Sequence, residues 1–91
     1  MKNNKLAESP AYLEPFLDSL WLESGLSKNT VEAYRRDLMA FAMWLAQDEV
    51  SLSAATRENI LHYQGVRIQE SRKARSEARL LSSLRRFYRY L

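Results

Sequence analysis

The 91-residue chain contains no cysteine and a single histidine, His62. Disulfide frameworks, thiolate zinc sites and thiol catalysis are thereby excluded, and a His-rich metal site with them. Glycine and proline occur twice each, and β-branched residues are few. Strand and hairpin signals are therefore missing, and no Walker or GxGxxG phosphate loop can be assembled. No apolar run reaches the roughly 18 residues that a membrane span needs. "MKNNKLAESP" has no apolar core ahead of a cleavage site, so it does not read as a signal peptide. These absences lead to the expectation of a soluble cytoplasmic domain with no metal, no cofactor and no small-molecule substrate.

What is present is a globular composition: 46% apolar, 27% charged and ten aromatic residues. That is enough for one small core and too apolar for a disordered chain. The net charge is only +3, but it is unevenly placed. Residues 71–91 carry seven basic residues and one acid, a net +6, while residues 1–70 carry seven basic residues and ten acids, a net −3. A basic segment on a mildly acidic body suggests a directed electrostatic face with an anionic polymer as partner.

Apolar spacing predicts four amphipathic helices after a polar, flexible tail over 1–11. The first runs from Leu13 to Ser24, with Pro15 in its first turn, a core stripe of Phe16, Leu17, Leu20 and Trp21, and Gly25 in the left-handed position beyond its end. The second follows Ser27 or Asn29 as cap, ends near Gln47, and buries Val31, Tyr34, Leu38, Phe41, Ala42 and Leu45. "DEVSLSAA" reads as a connection. The third begins at a Thr56 cap, with Ile60, Leu61, Tyr63 or Gln64, and Ile68 inward. Gly65 in its interior costs about 1 kcal/mol against alanine, and a close helix–helix approach is expected to compensate. The fourth starts between Lys73 and Ser76, with a core stripe of Leu80 or Leu81, Leu84, Phe87 or Tyr88, and Leu91. The pattern stops at "FYRYL" without a glycine or proline signal, as expected for part of a longer protein.

No catalytic constellation emerges. His62 stands in "NILHYQ" without a nucleophile signature, no GxSxG or SxxK is present, and the carboxylates lie scattered on helix faces. The five tyrosines and two tryptophans are expected to pack. What remains is a set of basic and small polar residues at two helix starts. Lys28, Asn29 and Thr30 occupy the first turn of the second helix, where unpaired backbone N–H groups favour phosphate. Arg35 and Arg36 follow one to two turns on. Arg72, Lys73, Arg75, Ser76 and Arg79 hold the equivalent place on the fourth helix. Positions 75, 79, 82 or 83, and 86 share one face, which adds Ser83 and Arg86 to the candidates. Arginine forks and short hydroxyl or amide groups bind phosphates and base edges. Chemistry alone thus favours double-stranded DNA as the partner. The alternative is a helical interaction module whose basic face meets an acidic protein.

Two stretches carry a resemblance. "FLDSLWLESGLSKNTVEAYRRDLMAFAMWL" and "ARLLSSLRRFYRYL" resemble the N-terminal core-binding domain of tyrosine recombinases, and lean within it to the XerD/XerC branch of chromosome-dimer resolvases. The pattern is S-x-N-T-x-x-x-Y-x-x-D-L-x-x-F followed by R-x-L-S-x-L-R-x-F-Y-x-Y-L, and the likeness covers residues 12–91. The resemblance implies a compact all-α, four-helix orthogonal bundle of the SAM-like kind that binds one half-site of a recombination site. It implies that the second and fourth helices enter the major groove, with Lys28, Asn29, Thr30, Arg35, Lys73, Arg75, Ser76, Arg79 and Ser83 as contacts. It implies core roles for Tyr34, Leu38, Phe41, Leu81, Leu84 and Phe87, and for Asp37 a place beside a helix end or a neighbouring arginine. It also implies a C-terminal catalytic domain outside this chain and sister recombinase subunits as partners. None of the five tyrosines here is then the nucleophile, and the fragment alone should be inactive. The chain departs from the family at "QESRKARSE", where a glycine-containing loop is usual, so a longer third helix or an earlier fourth is expected.

Overall fold

A computed structural model describes residues 12–70 and 73–91. The predicted tail over 1–11 and Arg72 lie outside the described residues. Four α-helices follow in order: α1 Leu13–Leu22, α2 Lys28–Ala46, α3 Arg57–Gln69 and α4 Ala74–Tyr90, with a 3-10 turn at Leu52–Ala54 between α2 and α3. No strand occurs among the described residues, so the all-α reading holds.

Each boundary has a local cause. Pro15 sits in the first turn of α1, where its missing N–H costs nothing. Gly25 takes φ +68° beyond the end of α1, and the chain reverses so that the Leu26 N–H donates to the Leu20 carbonyl (3.2 Å). Ser27, not Asn29, caps α2: its Oγ accepts from the Thr30 N–H at 3.1 Å. Thr56 and Asn59 form a reciprocal capping box at the start of α3. Lys73 precedes α4 without a side-chain cap bond.

Helix α2 is the central element, packing most extensively against α4 and also against α1, α3 and the 3-10 turn. The core gathers Leu13, Phe16, Leu17 and Leu20 of α1, Val31, Tyr34, Leu38, Phe41, Ala42 and Leu45 of α2, Leu52, Tyr63 of α3, and Leu80, Leu84 and Phe87 of α4. Phe16 meets Phe87 edge-on with ring centroids 5.2 Å apart, and Phe41 lies 4.8 Å from Tyr63. These aromatic pairs join α1 to α4 and α2 to α3.

Several expectations are corrected. Trp21 and Leu91 are exposed rather than buried, and Leu13 replaces Trp21 in the α1 stripe. Leu80 and Phe87 take the α4 core positions, leaving Leu81 half-buried. On α3, Leu61 and Ile68 face solvent, and the inward line is Ile60, Tyr63 and Arg67. A Cβ placed on Gly65 would meet nothing within 4 Å, so no close helix approach compensates for this glycine.

Candidate nucleic-acid interface

Helices α2 and α4 bring their N-terminal turns side by side. Between them opens a cleft of about 420 Å³ lined by Asn29, Thr30, Ala33 and Tyr34 from α2 and by Arg75, Ala78, Arg79 and Ser82 from α4. Ala33 and Ala78 keep its floor low, and no carboxylate belongs to its lining. Arg36 stands exposed one turn beyond Ala33, and Lys73 and Arg75 are exposed at the start of α4. The cleft is thus cationic, amide- and hydroxyl-bearing, and open along its length, a surface suited to an extended anion.

One charge pair organises this face. Asp37 lies one turn below Ala33 on α2 with only 5% of its side chain exposed. Its Oδ2 accepts from Nε of Arg79 at 2.9 Å and its Oδ1 from Nη2, also at 2.9 Å. Hydrogen bonding to Asp37 raises Arg79 above its ordinary value against the lowering effect of burial. Asp37 therefore holds an arginine, as the resemblance implied, and the arginine is one of the proposed contact residues.

The other candidates divide. Asn29, Thr30, Arg75 and Arg79 converge on the cleft. Lys28 and Arg35 lie instead in a groove against α1 with Leu17, Asp18 and Trp21. There Arg35 pairs with Glu14 and, at 3.2 Å, with Glu32, and its value is raised chiefly by the hydrogen bond to Glu14. Arg86 is exposed beside Phe16, Ser19, Arg89 and Tyr90 in the α1–α4 groove. Ser76 is half-buried. Ser83 is a correction: it is fully buried and its Oγ donates to the Leu80 carbonyl at 2.8 Å. It follows Leu80 by three residues on the inward stripe, whereas Ser82 turns toward the cleft.

A further ion pair has no counterpart among the sequence candidates. Arg67, only 8% exposed, donates from Nε to Glu77 Oε2 at 2.8 Å and sits 5.7 Å from the centre of the Tyr63 ring. It fastens α3 to α4. The spacing signal exists, since Arg67 follows Tyr63 by four residues on the inward face, but a charged side chain carries no apolar signal of burial. Among the described residues no group of histidine, aspartate and glutamate could hold a metal, and no helix is long and apolar enough to cross a membrane.

Residues 13–91 match the family model described as the phage integrase, N-terminal SAM-like domain. The chain is 44% identical over 89 residues to the tyrosine recombinase XerD of Proteus mirabilis, covering 98% of this chain and 28% of that protein. It is 51% identical over 79 residues to the XerD of Pseudomonas putida (87% and 26%) and 50% identical over 78 residues to that of Pseudomonas aeruginosa (86% and 26%). The chain thus spans roughly a quarter of the length of the curated relatives it matches. No solved structure matches it. A family match over nearly the whole chain, on an all-helical fold, makes this a member of the phage-integrase N-terminal SAM-like domain family.

Proposed function

We propose that this domain binds double-stranded DNA at one half-site of a recombination site, as the N-terminal part of a XerD-like site-specific recombinase acting in the cytoplasm beside sister subunits. Helices α2 and α4 face the major groove. The observation that carries this reading is the α2–α4 cleft, where Asn29, Thr30, Arg75, Arg79 and Ser82 converge with exposed Arg36 and Lys73 beside them. A major groove about 12 Å wide admits a helix, and arginine, asparagine and hydroxyl groups read base edges and phosphates there. Catalysis belongs to a further domain, and this chain contributes grip and register.

The test is fluorescence anisotropy with a palindromic recombination-site duplex across a salt series. Phosphate neutralisation predicts that log affinity falls against log salt with a slope of about −0.9 per contacted phosphate. Affinity unchanged between low and moderate salt would refute DNA binding. Salt-sensitive binding to an acidic protein but not to DNA would transfer the basic face to the interaction-module reading.

A further inference from the structure

The geometry assigns to Asp37 the role of a positioning residue that fixes Arg79 as a directional reader of guanine. This inference rests on the DNA-binding reading above and names what one side chain of that site recognises.

Arg79 belongs to the outward line of α4 formed by Arg75, Arg79, Ser82 and Arg86. Arg75 and Arg86 are exposed and make no ion pair among the described residues, whereas Arg79 is held by both oxygens of a buried carboxylate. A guanidinium has five N–H donors. Asp37 takes two of them, one on Nε and one on Nη2, so three remain: both on Nη1 and the second on Nη2. Two of these, one on each Nη, form the end-on edge of the fork, and Arg79 lines the cleft. Its plane is set from behind by α2, an element other than its own.

Two consequences separate this arginine from its neighbours. First, its direction is fixed before binding, so it loses little side-chain freedom when it meets a partner. Second, the adjacent carboxylate offsets its charge, which weakens its attraction for phosphate but leaves its remaining donors free. A neutral acceptor pair at fixed spacing gains from such a fork, and O6 and N7 of guanine in the major groove are that pair. Phosphates fall to the unheld cations Lys73, Arg75 and Arg36, whose charge is not offset. Asp37 touches no base. It acts through Arg79.

The experiment incubates the whole chain with a pool of randomised duplexes and sequences the bound fraction, for the wild type, Asp37→Asn, Arg79→Lys and Arg79→Ala. The wild type should enrich guanine at one position of its footprint. Arg79→Ala and Arg79→Lys should lose that preference about tenfold, within the range for one bidentate contact. Asp37→Asn should lose it at the same position although it retains the arginine, while binding to the unselected pool changes far less. A purely structural clamp gives a different result: Asp37→Asn lowers the unfolding midpoint and keeps the guanine preference. That outcome overturns the inference, as does an Arg79→Ala loss spread evenly over all sequences. Should Asp37→Asn fail to fold by circular dichroism, NMR of the free wild type decides: the Arg79 Nε–H should be restrained while that of Arg75 is mobile, and equal mobility of the two overturns the inference. Failure of the wild type to retain any duplex refutes the DNA-binding reading itself and the inference with it.

Discussion

At the residue scale, small positional differences decide which side chains are available. Ser82 and Ser83 are adjacent and chemically identical, yet one lines the cleft and the other is fully enclosed against the Leu80 carbonyl. The helical period leaves about 100° between them, and a face defined by positions 75, 79 and 86 does not resolve that step without the partner helix in place. Asp37 poses the opposite case. A buried carboxylate costs desolvation that only tight pairing offsets, and both of its oxygens are satisfied by Arg79. The S-x-N-T…D-L pattern marked the aspartate, but not the α4 arginine that it would meet. Gly65 gives the sharpest residue-level expectation. It lies inside α3 with a φ outside the left-handed region, and its missing Cβ faces open space. Alanine there removes backbone freedom from the unfolded chain and provokes no clash. Gly65→Ala should therefore raise stability by about 0.5–1 kcal/mol, read as an increased urea midpoint at unchanged m-value. A decrease would mean that α3 meets something at this point under the conditions of measurement.

At the element scale, the helix starts were legible because capping chemistry is local. Ser27, Thr56 and the glycine after α1 each act within five residues of themselves. The long apolar stripe of α2 was legible for the same reason. The shorter α1 and α3 are less legible, at Trp21, Leu61 and Ile68, because their apolar residues exceed what a single buried face accommodates, and only packing decides which are left out. The segment between α2 and α3 reads in sequence as a plain connection, yet Leu52 is buried within it. Tyr88 of α4 reaches across to donate its hydroxyl to the Leu52 carbonyl at 2.6 Å, a contact that spans 36 positions and leaves no local signature. Burial raises the Tyr88 hydroxyl well above its ordinary value. Because the folded value exceeds the unfolded one, near 10, the stabilisation tied to the neutral phenol is complete below about pH 10. It is lost as pH rises through the window between the two. Tyr88→Phe should thus cost about 1 kcal/mol at neutral pH by leaving the Leu52 carbonyl unpaired, and should flatten the alkaline fall of the unfolding free energy. Urea titrations at neutral pH and above pH 10 check this, and an equally steep fall in the variant would detach the alkaline limb from Tyr88.

At the scale of the whole molecule, the uneven charge of the sequence becomes a polarity of the fold. The acids Glu14, Asp18 and Glu23 lie on or just beyond α1, and Asp48 and Glu49 follow α2, while the exposed Arg75, Arg85, Arg86 and Arg89 line α4. An overall +3 is too small to gather DNA by itself, so any affinity must depend on where the cations sit, since exposed charges farther apart than a Debye length of about 8 Å are screened at physiological salt. Two arginines separate placement from total charge. Arg75 is exposed on the cleft, and Arg57 is exposed at the start of α3 and takes no part in the cleft lining. Each alanine variant lowers the net charge by the same unit. If the cleft is the interface, Arg75→Ala should reduce the slope of log affinity against log salt by about 0.9, the loss of one neutralised phosphate, and Arg57→Ala should leave the slope at its wild-type value. Anisotropy titrations of both variants on one duplex, over the same salt range, provide the comparison. Equal reductions would show that DNA responds to the overall field of the domain, and a reduction confined to Arg57→Ala would move the interface to α3.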